Sequence, residues 1–132
     1  KGVHTRHQVF YAQLSLALHS RPPADLDITQ TMLELQKRYS PFPYVEGTHF
    51  FASFGHLNGY SAMYYTYLWS LVIAKDLLGE FQRHGLLDEK TASRYRDTVL
   101  VPGGSRDAAD LIKDFLGRPY GFEAFQAWLE KV

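Results

Sequence analysis

Proline and glycine cut this chain into lengths too short for anything but modest elements, and the pieces between the cuts carry helical periodicity. Arg21-Pro22-Pro23, Ser40-Pro41-Phe42-Pro43, Pro102-Gly103-Gly104 and Gly117-Arg118-Pro119 are the breaks. A proline has no N–H to donate and pushes the residue before it out of the α region, so a helix stops at each. Residues 5–19 carry Val9, Phe10, Leu14, Leu16 and Leu18 among good helix formers and are expected to be helical. Asp27, with Gln30 three residues on, has the pattern of a capping box. Met32, Leu33, Leu35 and Tyr39 continue from it, and Glu34 and Arg38 stand at i,i+4. The strongest helix is expected over residues 60–83, closed by Gly85 as the residue past its end. Asp88 caps a further helix running to residue 100, with Glu89 where the helix dipole favours an acid. Ser105 is expected to cap residues 107–116, and a last helix covers 122–131. No stretch alternates at period two, so the fold class is all-α, one helical segment over residues 1–132.

Residues 44–59 fit no period. They hold Gly47, Gly55 and Gly59 and six aromatic side chains counting His49 and His56. A loop of this length inside a compact chain is usually functional or disordered, and the aromatic content favours an ordered, packed one.

Composition removes several classes of function. At 132 residues the chain can bury roughly two-thirds of its unfolded surface. Fourteen basic side chains balance fourteen acidic ones, which leaves no electrostatic footprint for nucleic acid or an anionic membrane. The absence of cysteine excludes disulfides, thiolate metal sites and cysteine nucleophiles together, and suits a reducing compartment. No segment has the apolar length to span a bilayer, and residues 9–18 are too polar for a signal peptide's apolar core. The chain is expected to be soluble and cytoplasmic. Its first residue is Lys1, which suggests a processed product or an excised piece.

Three places could carry chemistry. His4 and His7 stand at i,i+3, but no His-Glu-x-x-His motif and no adjacent carboxylate accompany them, so they read as ordinary histidines. Gly103-Gly104-Ser105 precedes a helix but lacks the lysine and spacing of a phosphate loop, and reads as a capping turn. The third place is residues 54–69, Phe-Gly-His-Leu-Asn-Gly-Tyr-Ser-Ala-Met-Tyr-Tyr-Thr-Tyr-Leu-Trp. On a helix, Tyr60, Tyr64 and Tyr67 fall at i, i+4 and i+7 and share one face. Three phenols in a row suit a dry core poorly, because each buried O–H needs a partner. They suit a cleft wall that hydrogen-bonds peptide groups, and a phenol, with a reference pKa of about 10, keeps its proton at neutral pH to donate to a developing oxyanion. Gly55 and Gly59 would let His56 and the helix start approach a ligand closely. The competing reading packs the stripe on another helix with its hydroxyls at the rim. Chemistry alone leaves the two even.

The run His-x-x-Gly-Tyr-x-Ala-x-Tyr-Tyr-x-Tyr-x-Trp-Ser, from His56 to Ser70, strongly resembles the C-terminal part of the thimet oligopeptidase and oligopeptidase A family of M3 zinc metallopeptidases. Tyr95-Arg96 with Val99-Leu100-x-Pro102-Gly103-Gly104-Ser105 resembles a late helix and turn of that family. Asp114-Phe115-Leu116-Gly117-Arg118-Pro119 with Phe125 resembles its terminal motif, and residues 6–19 and 50–56 also fit. The resemblance implies a large helical peptidase whose channel admits only short peptides, cut by zinc-bound water. The zinc ligands and the general base would lie upstream, outside this chain, so the chain alone is expected to be inactive and to hold no metal. It would be roughly the last fifth of the enzyme, a proportion taken from the resemblance.

Carried over residue by residue, the resemblance makes Tyr67 the phenol that donates to the tetrahedral oxyanion. Tyr60 would contact the substrate backbone, with His56, Gly59 and Tyr64 on the same substrate-binding wall. Two departures stand out: many members carry two glycines before the first tyrosine where this chain has Gly59 alone, and Met63 occupies a position where smaller residues are common. Partners implied are short peptides and the upstream zinc-binding part of the same protein. An exposed apolar cut face would make the isolated chain self-associate. The alternatives are a non-catalytic helical module that binds peptides or a protein partner, and a purely structural helical domain.

Overall fold

The computed structural model describes residues 1–131. Among them there is no strand, and the fold is all-α. Eight α-helices follow one another: α1 Gly2–His19, α2 Ile28–Tyr39, α3 Phe50–Ser53, α4 His56–Tyr60, α5 Thr66–His84, α6 Glu89–Tyr95, α7 Ala108–Leu116 and α8 Glu123–Glu130. None of the described helices is long and apolar enough to cross a membrane. The described residues gather into two compact units, 1–69 and 70–131.

In the first unit, Pro22 and Pro23 end α1 as expected, and a single 3-10 turn, Pro23–Asp25, leads to α2. Asp27 caps α2, its side chain accepting from the Gln30 N–H at 2.8 Å. The return arm of a capping box is absent: the Gln30 side chain turns instead to Glu34, at 3.0 Å. The apolar face of α1 supplies Phe10 and the fully buried Leu14, which meet Met32 of α2, Phe54 and Tyr64 in one core. Half-buried Tyr11, Phe50, Phe51 and Leu57 pack around it. Residues 44–59 are ordered and packed, yet they are not a plain loop. They contain α3 and most of α4, each too short to persist without tertiary support. The support is aromatic: Phe50 stacks on Tyr11 and on Phe54 with ring centroids 4.9 Å apart in both pairs.

The expected single helix over residues 60–83 is broken. Helix α4 ends at Tyr60, Ser61 takes φ +48° and ψ −121°, a 3-10 turn covers Met63–Tyr65, and α5 starts only at Thr66. Tyr60, Tyr64 and Tyr67 therefore do not form a stripe on one helix. Trp69, near the start of α5, is 45% exposed.

In the second unit, Val72, Leu111, Ile112, Phe115 and Phe125 are buried. Phe81, Tyr95 and Phe115 form a ring cluster with centroids 5.4–6.1 Å apart. Gly85 has φ +113° just past α5, and Gly117 has φ +72° just past α7, as their places past helix ends require. Asp88 accepts from the Thr91 N–H at 2.7 Å, but α6 gives way after Tyr95 to a wider π-helical turn over Arg96–Leu100. The cap of α7 is Asp107, whose side chain accepts from the Ala109 N–H at 2.8 Å. Ser105, the expected cap, lies in the 3-10 turn before it.

Two acids of α5 are buried. Asp76 accepts from Arg118 at 2.6 and 2.8 Å and from the Gly121 N–H at 2.9 Å, and the Arg118 hydrogen bond chiefly holds its carboxyl below the usual carboxylate range. Glu80 accepts from Arg83 and, at 2.7 Å, from Arg94.

Candidate functional site

The site lies in the first unit, where α3, α4 and the 3-10 turn after Ser61 crowd against α1. An open pocket of about 500 Å³ is lined by Tyr11, Phe50, Ser53, Phe54, Gly55, His56, Tyr60 and Tyr64. His56, in the first turn of α4, is the hub of its aromatic wall. Its ring centroid lies 5.8 Å from Tyr60, 5.1 Å from Tyr64 and 5.8 Å from Tyr67. The chain break at Ser61 removes the helical stripe, and the rings meet nonetheless because all three fold around one imidazole.

The hydroxyls of these rings have different fates. Tyr64 is 9% exposed and its Oη donates to Gln8 Oε1 at 3.0 Å. Burial raises the Tyr64 phenol above its ordinary value, partly offset by that hydrogen bond. Tyr11 Oη lies 2.7 Å from His7 Nε2. Burial, and then the nearby His4, lower the His7 imidazole and favour the neutral form that can accept from Tyr11. Tyr60 and Tyr67, by contrast, are 62% and 53% exposed. Tyr67 Oη lies 3.2 Å from His56 Nε2. If the imidazole donates there, the phenol's own proton stays free to point outward.

Neither Gly55 nor Gly59 takes a positive φ. Gly55 sits at φ −55° and ψ −25°, and Gly59 lies inside α4. A side chain at either would meet nothing within 4 Å, so both leave open surface beside His56 and Tyr60. The left-handed backbone falls on Ser61, the only non-glycine residue with positive φ among those described. Ser61 and Ala62, at φ −80° and ψ 4°, are the central pair of a type II′ turn, whose first position glycine normally takes. The Ser61 carbonyl accepts from the hydroxyl of Ser15 on α1 at 2.6 Å. Sequence spacing gives no hint of a contact across 46 residues, nor of the Gln8–Tyr64 pair.

Among the described residues no three His, Asp or Glu side chains converge to hold a metal ion. His7 faces Tyr11, with Ser40 Oγ 3.5 Å from its other nitrogen.

Fold and site together define an all-α protein with an open pocket walled by one histidine and several phenols. Comparison with known sequences gives that class a family: residues 1–130 match the model of Peptidase family M3, and the chain belongs to it. It is 33% identical over 115 residues to oligopeptidase A of Escherichia coli (strain K12), a match covering 84% of this chain and 17% of that protein. It is 33% identical over 120 residues to the thimet-like oligopeptidase of Dictyostelium discoideum, covering 89% and 18%. A mitochondrial intermediate peptidase of Arabidopsis thaliana is 31% identical over 114 residues, covering 86% and 16%. The chain thus spans between 16% and 18% of the length of these curated relatives.

Proposed function

We propose that this chain is the substrate-facing wall of a metal-dependent oligopeptidase that hydrolyses short peptides, with Tyr67 as its oxyanion donor. The observation that carries the reading is the contrast among the phenols around His56: Tyr64 is buried and bonded within the protein, while Tyr67 and Tyr60 are half or more exposed. An exposed Tyr beside an open pocket has an apolar body for the wall and a polar tip for a ligand.

In this reading a peptide lies along the pocket with its backbone against the open face left by Gly55 and Gly59. Tyr60 bonds the substrate backbone and the Tyr64 ring forms the floor. His56 donates through Nε2 to Tyr67 Oη, and the Tyr67 proton is then aimed at the scissile carbonyl oxygen as it gains negative charge. A donor preorganised at that point is stronger in the transition state than in the ground state, which is the condition for raising kcat. The family resemblance assigns zinc to the intact enzyme. The residues described here do not fit a metal, so the ligands and the general base belong to the remainder of the polypeptide in this reading.

The test is Tyr67→Phe in the intact protein, assayed on a short internally quenched peptide. Loss of one oxyanion donor lowers kcat by about 10²–10³; metal content stays unchanged. Normal turnover by the variant refutes the assignment. Binding of peptides without any cleavage by the intact wild type would favour a non-catalytic binding module.

A further inference from the structure

We propose that Ser15, which is not among the residues lining the pocket, is a positioning residue of the site: its buried hydroxyl holds the turn that aims Tyr60. The inference rests on the peptidase reading above.

The turn needs holding. Ser61 occupies the first central position of a type II′ turn, at φ +48° and ψ −121°. A residue with a Cβ persists there only where its surroundings over-determine it. The direct restraint on it from α1 is a hydrogen bond. Ser15 is 1% exposed, follows the fully buried Leu14 on α1, and donates its hydroxyl to the Ser61 carbonyl at 2.6 Å. The Ser15 carbonyl is separately engaged by His19 Nδ1 at 2.8 Å.

The geometry makes this tether selective. On the far side of the turn, Tyr64 is already tied to α1 through Gln8 and sits in the core. On the near side Tyr60 ends the five-residue α4, is mostly exposed, and has a ring contact with His56. Release of Ser61 to an ordinary negative φ therefore swings Tyr60 and leaves Tyr64 in place. Since Tyr60 is the residue assigned to the substrate backbone, the effect appears in KM, whereas the oxyanion donor Tyr67 acts on kcat.

The experiment uses the intact protein and a short internally quenched peptide. Ser15→Ala is expected to raise KM about three- to tenfold, the worth of one hydrogen bond, with kcat changed less than about twofold. In a Ser61→Gly background glycine adopts the turn unaided, and Ser15→Ala then changes KM less than about twofold. An unchanged KM in Ser15→Ala, or the same loss in both backgrounds, overturns the proposal; the second result would mean that Ser15 acts through core packing. Should Ser15→Ala fail to fold, Ser61→Val attacks the turn from its exposed side, because a β-branched residue resists positive φ. It is expected to raise KM as well, and an unchanged KM overturns the proposal. Hydrogen exchange of residues 58–66 reads the clamp without catalysis: it accelerates in Ser15→Ala, and unchanged exchange overturns the tether. If the wild type cleaves no peptide, the peptidase reading fails, and the exchange measurement still decides the clamp.

Discussion

Arg118→Ala tests the energetics of the second unit most sharply, because it leaves a buried carboxylate with one partner. The Asp76 side chain is 7% exposed and takes two hydrogen bonds from Arg118, whose own side chain is 47% exposed. Breaking a fully buried pair costs about 3–5 kcal/mol, and an exposed pair is worth about 0–1. The half-exposed guanidinium places this pair between, at about 2–3 kcal/mol, after discounting for solvent screening. That is a factor of roughly 30 to 150 in a local opening equilibrium. Native-state hydrogen exchange of the intact protein reads it as a fall in protection of the α5 amides near Asp76.

The pH dependence has a definite sign. In the wild type the Asp76 pKa is lowered from 3.8, so its contribution to stability is present above about pH 4 and is lost as the pH falls through the folded-state value. In Arg118→Ala the buried carboxylate is uncompensated, and its charge opposes folding at neutral pH. The gap between the two proteins is therefore wide at pH 7 and narrows below about pH 4. Combining Arg118→Ala with Asp76→Asn removes the stranded charge and should cost less than Arg118→Ala alone. A protection loss below about tenfold at pH 7 would refute the reasoning, as would an equal gap at pH 3.5 and pH 7.

Three further substitutions have expected outcomes. Gln8→Leu strands the buried Tyr64 hydroxyl and should cost about 1–3 kcal/mol in thermal unfolding, and pairing it with Tyr64→Phe should recover part of that loss. Gly117→Ala, at φ +72° past α7, should cost about 1–2 kcal/mol in the same assay, because only glycine takes that backbone freely. Asp27→Ala removes the α2 cap and should cost about 1 kcal/mol, visible as faster exchange of the Gln30 amide.

Much of the helical framework is legible in the sequence, because proline breaks, Asx caps and glycine stops are local. Asp27, Asp88, Gly85 and Gly117 each do what their local chemistry predicts. The features that are not legible depend on distant partners. Helices α3 and α4 span four and five residues, too few to show a period, and depend on tertiary packing such as that of Phe50 and Phe54 on Tyr11. The break at Ser61 is concealed by a residue type that rarely adopts its backbone. Ser105 and Asp107 are both competent caps by chemistry, and only the backbone decides for the second. Gly117-Arg118-Pro119 does end a helix, yet its arginine also neutralises a carboxylate 42 residues away.

The same limit explains why two readings of the tyrosines were even at the level of sequence. A phenol buried without a partner is costly, so several phenols in one segment argue for a wet cleft. That argument fails wherever a partner arrives from elsewhere in the chain, and here one arrives from α1. Gln8 takes the Tyr64 hydroxyl, which lets that ring join the packed core. No α1 residue is seen to bond Tyr60 or Tyr67, and these two remain at the surface around His56. The packing account thus describes Tyr64, and the cleft account is left for Tyr60 and Tyr67. On the proposed reading, α1 sorts the phenols around His56 by offering a hydrogen-bond acceptor to Tyr64 and none to Tyr60 or Tyr67. A substitution in α1 that never touches substrate, such as Gln8→Leu or Ser15→Ala, then acts on the site by changing which rings stay fixed.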